Sequence, residues 1–202
     1  MTNREERQKQ IETAALDLLR EKGYRSTSML QIAKKAKASN QTLYAWYGNK
    51  QTLFKSIIER NGALVRRHLQ DALSASSNPL SALETLGPLL LGYACGEQAI
   101  IISRAAVTDA SETGLLGEAV EEVARDTVVP LIKSLMERLE KSGDFTFGSD
   151  AQDAAETYVA LLFGELQIRL ARGNIAPLND DAINKRAARA FALTCRLFAS
   201  DP

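Results

Sequence analysis

The sequence predicts an all-α protein of about nine helices, and three observations carry that reading. Apolar residues recur at helical spacing through nearly every segment of the 202-residue chain. Most of the periodic runs open on a capping Ser, Thr or Asn, or close on a glycine. The β-branched run Ile100-Ile101-Ile102 finds no second strand-like segment to pair with, so it too reads as helix.

Taken in order, Ile11, Ala14, Ala15, Leu18 and Leu19 form one face of a first helix over 4–22, which Gly23 stops. Thr27 or Ser28 caps a second helix through Ala36. Ser39 caps a third, from Asn40 to Trp46. Gly48 punctuates, and Asn49 caps a long fourth helix over 50–75. Ser76-Ser77-Asn78-Pro79 is a break. The fifth helix, 79–94, carries Gly87-Pro88, a pair expected to kink or divide it. Gly96 precedes a sixth over 97–110. The seventh runs over 115–141, with Pro130 as a bend, and 142–149, SGDFTFGS, reads as a loop. Helices over 150–172 and 180–199 complete the chain.

The 45% apolar and 25% charged fractions are ordinary for a soluble globular protein. Net charge is zero, yet residues 1–60 carry +6 and residues 61–202 carry −6. A basic first third joined to an acidic remainder suggests a nucleic-acid-binding module attached to something else, or else a basic solvated face. The polar N-terminus lacks the apolar core of a signal peptide, and no apolar run approaches membrane-spanning length. A cytoplasmic protein without a membrane partner is expected. One histidine and two cysteines 100 residues apart, Cys95 and Cys195, assemble no metal cluster. No phosphate loop, nucleophile elbow or Ser-His-Asp set is present, so no enzyme and no cofactor are expected.

Residues Thr27–Lys50, TSMLQIAKKAKASNQTLYAWYGNK, have the layout of a helix-turn-helix. Ile32, Ala33, Ala36, Ala38, Leu43 and Tyr47 would close its small core. Asn40, Gln41, Tyr44 and Ala45 would then face outward, Asn and Gln suiting adenine's major-groove edge and Ala45 a thymine methyl. Thr42, Tyr44 and Trp46 have donors for phosphate oxygens, and Lys50 adds a charge. Thr27 or Ser28, at the start of the second helix, suits another phosphate. Ser39 caps the recognition helix. Arg4, Arg7 and Lys9 read as a basic arm, and Lys34, Lys35 and Lys37 add positive charge.

This segment resembles the DNA-binding domain of the tetracycline-repressor (TetR) family. The matching residues are Thr27, Ile32-Ala33, Ala36, Ser39, Thr42-Leu43-Tyr44, Tyr47, Lys50 and Leu53, with Ile11, Ala14-Ala15, Leu18-Leu19 and Gly23-Tyr24 before them. Two positions depart from the pattern. The family usually has glycine where Lys37 stands, in a turn that asks for a left-handed backbone. Tyr47 replaces the more usual phenylalanine.

The resemblance implies a head over 1–49 and a ligand-binding and dimerisation domain over 50–202. It implies a homodimer on a palindromic double-stranded operator, and a repressor released by a small-molecule effector. The competing reading is an all-α protein–protein adaptor whose head no longer binds DNA. Both final helices carry two apolar stripes, which suggests burial on two sides, in a subunit interface or in the centre of a monomer. Tyr158, Leu162, Leu166, Ala187, Ala190, Phe191, Thr194 and Phe198 are the interface candidates, with Ala188, Ala192 and Cys195 beside them. For the effector, His68, Tyr93, Cys95, Arg104, Phe163 and Gln167 are candidates to line a pocket, though each suits core or surface as well. Arg104 is expected to pair internally with a buried carboxylate such as Glu165.

Overall fold

A computed structural model describes residues 3–76, 78–147 and 150–200; Ser77 in the predicted break and Gly148-Ser149 in the predicted loop lie outside them. The nine helical stretches appear where the periodicity places them. Two are interrupted, so the described residues form eleven α-helices. These are α1 (Asn3–Lys22), α2 (Met29–Lys35), α3 (Asn40–Tyr47), α4 (Lys50–Ala75), α5 (Pro79–Ala94), α6 (Glu97–Asp109), α7 (Leu115–Val123), α8 (Val129–Lys141), α9 (Ala151–Phe163), α10 (Leu166–Ala171) and α11 (Asp180–Phe198). Side-chain caps start several of them: Asn78, Asp150 and Asn179 each accept from an amide of the following turn.

The interruptions have local causes. Pro130 has no N–H for the carbonyl four residues back, and the wider π turn Ala124–Val128 absorbs the change just before α8. Gly164, at φ 46°, ends α9. By contrast α5 runs through Gly87-Pro88 undivided. The Ile100-Ile101-Ile102 run is helical, within α6.

The chain divides into two compact units. The first holds the described residues up to Asn61 together with Ile101–Glu121. Here α1 packs on α2 and α2 on α3, around Ile11, Leu18, Ile32, Leu43, Leu53 and Phe54. The second holds Gly62–Ile100 and the described residues from Glu122 onward. In it α5 and α9 flank α11, and α8 lies against α5 and α9, around a core of Leu83, Leu86, Ile132, Met136, Leu139 and Tyr158. The division falls at 61/62 within the unbroken α4, and most of α6 and of α7 belongs to the first unit.

Part of the predicted loop after α8 is an ordered clasp. Phe145 pairs antiparallel with Ala199, and the Thr146 amide donates to the Phe198 carbonyl at 2.8 Å. The Ser200 amide donates to the Asp144 carbonyl at 3.1 Å. Phe145, Phe147 and Phe198 form an aromatic cluster beneath it.

Six of the eight side chains expected at a subunit interface are inside their own unit. Tyr158, Leu162, Leu166, Ala187, Ala190 and Thr194 are buried there, and Phe191 and Phe198 pack half-buried against the same core. On α11 the stripe facing α5 and α9 is the intramolecular one, while Ala188 and Ala192 are exposed and Cys195 is half-buried.

Tyr158 is fully buried, and its hydroxyl has no hydrogen-bond partner. It abuts the glycine of α5, where a β-carbon on Gly87 would lie 3.0 Å from both that hydroxyl and Ala187 Cβ. A buried polar group without a partner lowers stability relative to an apolar group of the same shape. Tyr158→Phe is expected to raise stability by about 1 kcal/mol, whereas Tyr158→Ala should cost about 3–5 kcal/mol through the cavity it leaves. Urea denaturation of the three proteins checks both signs.

Candidate nucleic-acid interface

The first unit builds the predicted helix-turn-helix from its caps. Ser28 rather than Thr27 is the cap of α2: its Oγ accepts from the Gln31 amide at 3.3 Å, and Gln31 Oε1 accepts the Ser28 amide at 3.1 Å. Ser39 caps α3, accepting from the Thr42 amide at 3.0 Å. Asn49 opens α4, its Oδ1 accepting the Thr52 amide at 2.8 Å.

Lys37 adopts the left-handed conformation that its place in the turn demands, at φ 51°, and is the one non-glycine residue with positive φ among those described. Arg7 explains how the turn stays closed. Its guanidinium reaches across from α1 and donates to the Ala36 carbonyl at 3.3 Å and to the Lys37 carbonyl. Arg4, Arg7 and Lys9 thus lie on α1 rather than forming a separate arm.

The outward face of α3 is the expected one. Asn40, Gln41, Tyr44 and Ala45 are exposed, and Tyr44 is 54% accessible despite its size. Ser28, Lys37 and Ser39 are exposed beside it in sequence. Three other candidates have internal partners. Thr42 Oγ1 shares a 2.8 Å hydrogen bond with Ser39 Oγ, and Trp46 lies half-buried with the Arg4 guanidinium 5.4 Å from its ring centre. Lys50 Nζ donates to the Tyr24 carbonyl at 3.0 Å and sits 4.0 Å from the centre of that ring.

Thr27 must be corrected. It is 2% exposed and its hydroxyl donates to the Gly23 carbonyl at 2.8 Å, so it closes the α1–α2 connection and has no surface to offer a phosphate. Of the three neighbouring lysines, Lys35 pairs with Glu21 at 2.5 Å, while Lys34 and Lys37 are exposed. The sequence reading overlooked Leu30, 62% exposed in the first turn of α2. An apolar residue beside a cap carries no periodicity signal that marks it as outward-facing.

The effector candidates are only partly gathered. His68 Nδ1 and the Tyr93 hydroxyl are 2.5 Å apart, with their rings stacked. His68 and Gln167 are exposed, Phe163 is half-buried, and Cys95 is buried, where burial pushes its thiol up to about 11. Arg104 and Glu165 are both exposed, so neither provides the buried charge of the expected internal pair.

Comparison with known proteins bears on both parts of the chain. Residues 11–57 match the family described as bacterial regulatory proteins, tetR family, and residues 81–199 match the AefR-like transcriptional repressor, C-terminal domain. The HTH-type transcriptional regulator HbdR of Aromatoleum sp. (strain CIB) is 45% identical over 49 residues; that match spans 24% of this chain and 21% of the relative. A protein of Mesorhizobium loti MAFF303099 assigned to the TetR-family regulators superposes with a TM-score of 0.85 at 22% identity, over 99% of this chain and 100% of that one. A TetR transcriptional regulator of Agrobacterium tumefaciens does so at 0.76 and 25%, over 100% and 97%. FadR of Bacillus subtilis, solved with stearoyl-CoA, matches at 0.71 and 16%, over 92% and 96%. Among the described residues no single helix is long and apolar enough to cross a membrane.

Beneath this face lies a strained charge. Glu12 Oε1 is 3.2 Å from Arg60 Nη2, yet burial raises the Glu12 carboxyl above its ordinary value by more than Arg60 lowers it. The Tyr47 hydroxyl is buried without a hydrogen-bond partner, and burial, then the Glu12 charge, pushes it up to about 12. A carboxyl whose folded value exceeds its unfolded one binds its proton more tightly when folded. It therefore subtracts from stability at neutral pH, and the penalty fades as pH falls through the folded value. Glu12→Gln is expected to melt higher than wild type at pH 7, with the advantage shrinking towards the ordinary carboxyl value of 4.5. Tyr47→Phe, which restores the residue usual at this position, should match wild type or gain up to about 1 kcal/mol. Thermal melts of both variants between pH 4.5 and 8 decide this.

Proposed function

Because the chain belongs to the TetR family of bacterial regulatory proteins, we propose that it is a ligand-responsive repressor of transcription. The family is one of transcriptional regulators rather than enzymes, and the chain has its DNA-binding helix-turn-helix. The observation that carries the proposal is the exposed polar face of α3, held by the Ser39 cap and by Arg7 on the turn carbonyls. Asn40 and Gln41 read base edges, while Tyr44, Ser28 and Lys37 meet the phosphate backbone.

Two copies pair and place two heads on half-sites one DNA turn, or a multiple, apart. The operator is palindromic for the same reason. The exposed stripe of α11 bearing Ala188 and Ala192, with exposed Leu197 nearby in the helix, is the candidate for the subunit contact. Repression is supported by the match of residues 81–199 to a repressor C-terminal domain. The effector is a small molecule bound by the second unit; support for an acyl-bearing ligand is that one structural relative was solved with stearoyl-CoA. Release follows only if that molecule binds the DNA-free arrangement more tightly than the bound one. The protein acts where its operator is, in the cytoplasm.

Fluorescence anisotropy with a random duplex tests the DNA contact. Affinity should fall steeply as salt rises, since each neutralised phosphate releases counterions. No binding at low salt would return the adaptor reading. Tyr44→Ala should weaken binding by about tenfold with melting temperature and dimer mass unchanged. Lys50→Ala should lower both affinity and melting temperature, because Lys50 also ties α4 to Tyr24. A Tyr44→Ala protein of wild-type affinity would displace α3 from the groove.

A further inference from the structure

We infer that Asp109, far outside the helix-turn-helix, is a positioning residue for DNA binding, and that its contact with Tyr24 couples the DNA head to the α6–α7 turn. The inference rests on the DNA-binding role of the head.

Asp109 ends α6 and is fully buried, at 0% exposure. Its carboxyl receives three donors from three parts of the chain. The Tyr24 hydroxyl donates to Oδ1 at 3.0 Å; the Thr113 hydroxyl at 2.7 Å and the Leu116 amide at 3.3 Å donate to Oδ2. Its backbone carbonyl accepts the amides of Glu112, Thr113 and Gly114 at 2.8–3.0 Å. One residue therefore ties the α6–α7 turn and the start of α7 into a single knot. A buried carboxyl so surrounded has little freedom to reorient, since every oxygen it turns away leaves a donor unpaired.

Tyr24 is the matching knot in the head. It follows Gly23, which stops α1, and precedes the cap of α2. Its ring packs edge-on against Phe54 of α4, at 5.7 Å between centres, with the Lys50 ammonium over its face. Its carbonyl accepts both Lys50 Nζ and the Thr27 amide. The α1–α2 connection, the N-terminus of α4 and the α6–α7 turn thus meet on one tyrosine. Burial, helped by the hydrogen bond to Asp109, pushes its hydroxyl far above the usual phenol range, so it remains a donor at any working pH. Ile101–Glu121, which includes Asp109, belongs with the head to one compact unit.

Coupling between two sites is reciprocal. DNA held by α3 steadies Lys50 and Tyr24, and through Asp109 it should steady the Leu116 amide. Hydrogen exchange on the full chain, with and without a random duplex at low salt, reads this directly. In wild type the duplex should slow exchange in peptides over 28–46 and also over 110–118. Tyr24→Phe removes one hydroxyl and leaves the ring, the carbonyl and the Lys50 contact in place. It should keep the protection over 28–46, lose the duplex-dependent protection over 110–118, and bind the duplex about fivefold more weakly. Thr113→Val removes a different donor to Asp109 and leaves Tyr24 bound; its duplex-dependent protection over 110–118 should persist. Remote protection that survives Tyr24→Phe, that fails equally in Thr113→Val, or that is absent from wild type while 28–46 is protected overturns the inference alone. A duplex that protects neither segment overturns it together with the DNA-binding role.

Discussion

The head is organised by a turn that its own sequence disfavours. Between α2 and α3 the backbone must pass through the left-handed region, and Lys37 occupies it at a cost of roughly 1 kcal/mol relative to glycine. Arg7 offsets that cost with donors on the carbonyls of Ala36 and Lys37, groups that the end of α2 and the turn would otherwise leave to water. The crossing of α2 and α3, and so the direction in which Asn40, Gln41 and Tyr44 point, follows from this closure. One arginine on α1 thereby helps to set the direction of the α3 face.

Much of this was legible in the sequence because it is local. Caps, glycine stops and helical stripes involve residues three or four apart, and Ser28, Ser39, Asn49 and Gly23 do what those positions ask. The left-handed turn at Lys37 was legible only through the resemblance, because the family usually has glycine there. What escaped depends on partners distant in the chain. Arg7 and Lys37 are 30 residues apart, and Tyr24 and Asp109 are 85 apart. Nothing in the spacing of either pair announces it. Thr27 illustrates the limit at closest range: a threonine at a helix start reads as a phosphate contact until its hydroxyl is seen to be spent on the carbonyl of Gly23.

The faces of α9 and α11 show a different limit. Two apolar stripes on one helix say that two sides are covered, but stripes of equal apolarity do not say which side is covered from within. On α11 the buried Ala187 and Ala190 and the exposed Ala188 and Ala192 are the same residue type, and only the packing of α5 and α9 on one side separates them. Helical periodicity measures hydrophobicity, so it finds both stripes but not which one its own unit covers.

The clasp between residues 144–147 and 198–200 bears on how the chain acquires its structure. Thr146 and Ser200 are 54 residues apart, and the pairing encloses α9, α10 and α11. At about 5–20 residues per second, a ribosome needs several seconds to supply the second half after the first has emerged. Through that interval Phe145 and Phe147, buried in the finished protein, lack the Phe198 ring that packs against both. The aromatic cluster of the second unit therefore cannot be complete until the last few described residues of the chain have been made.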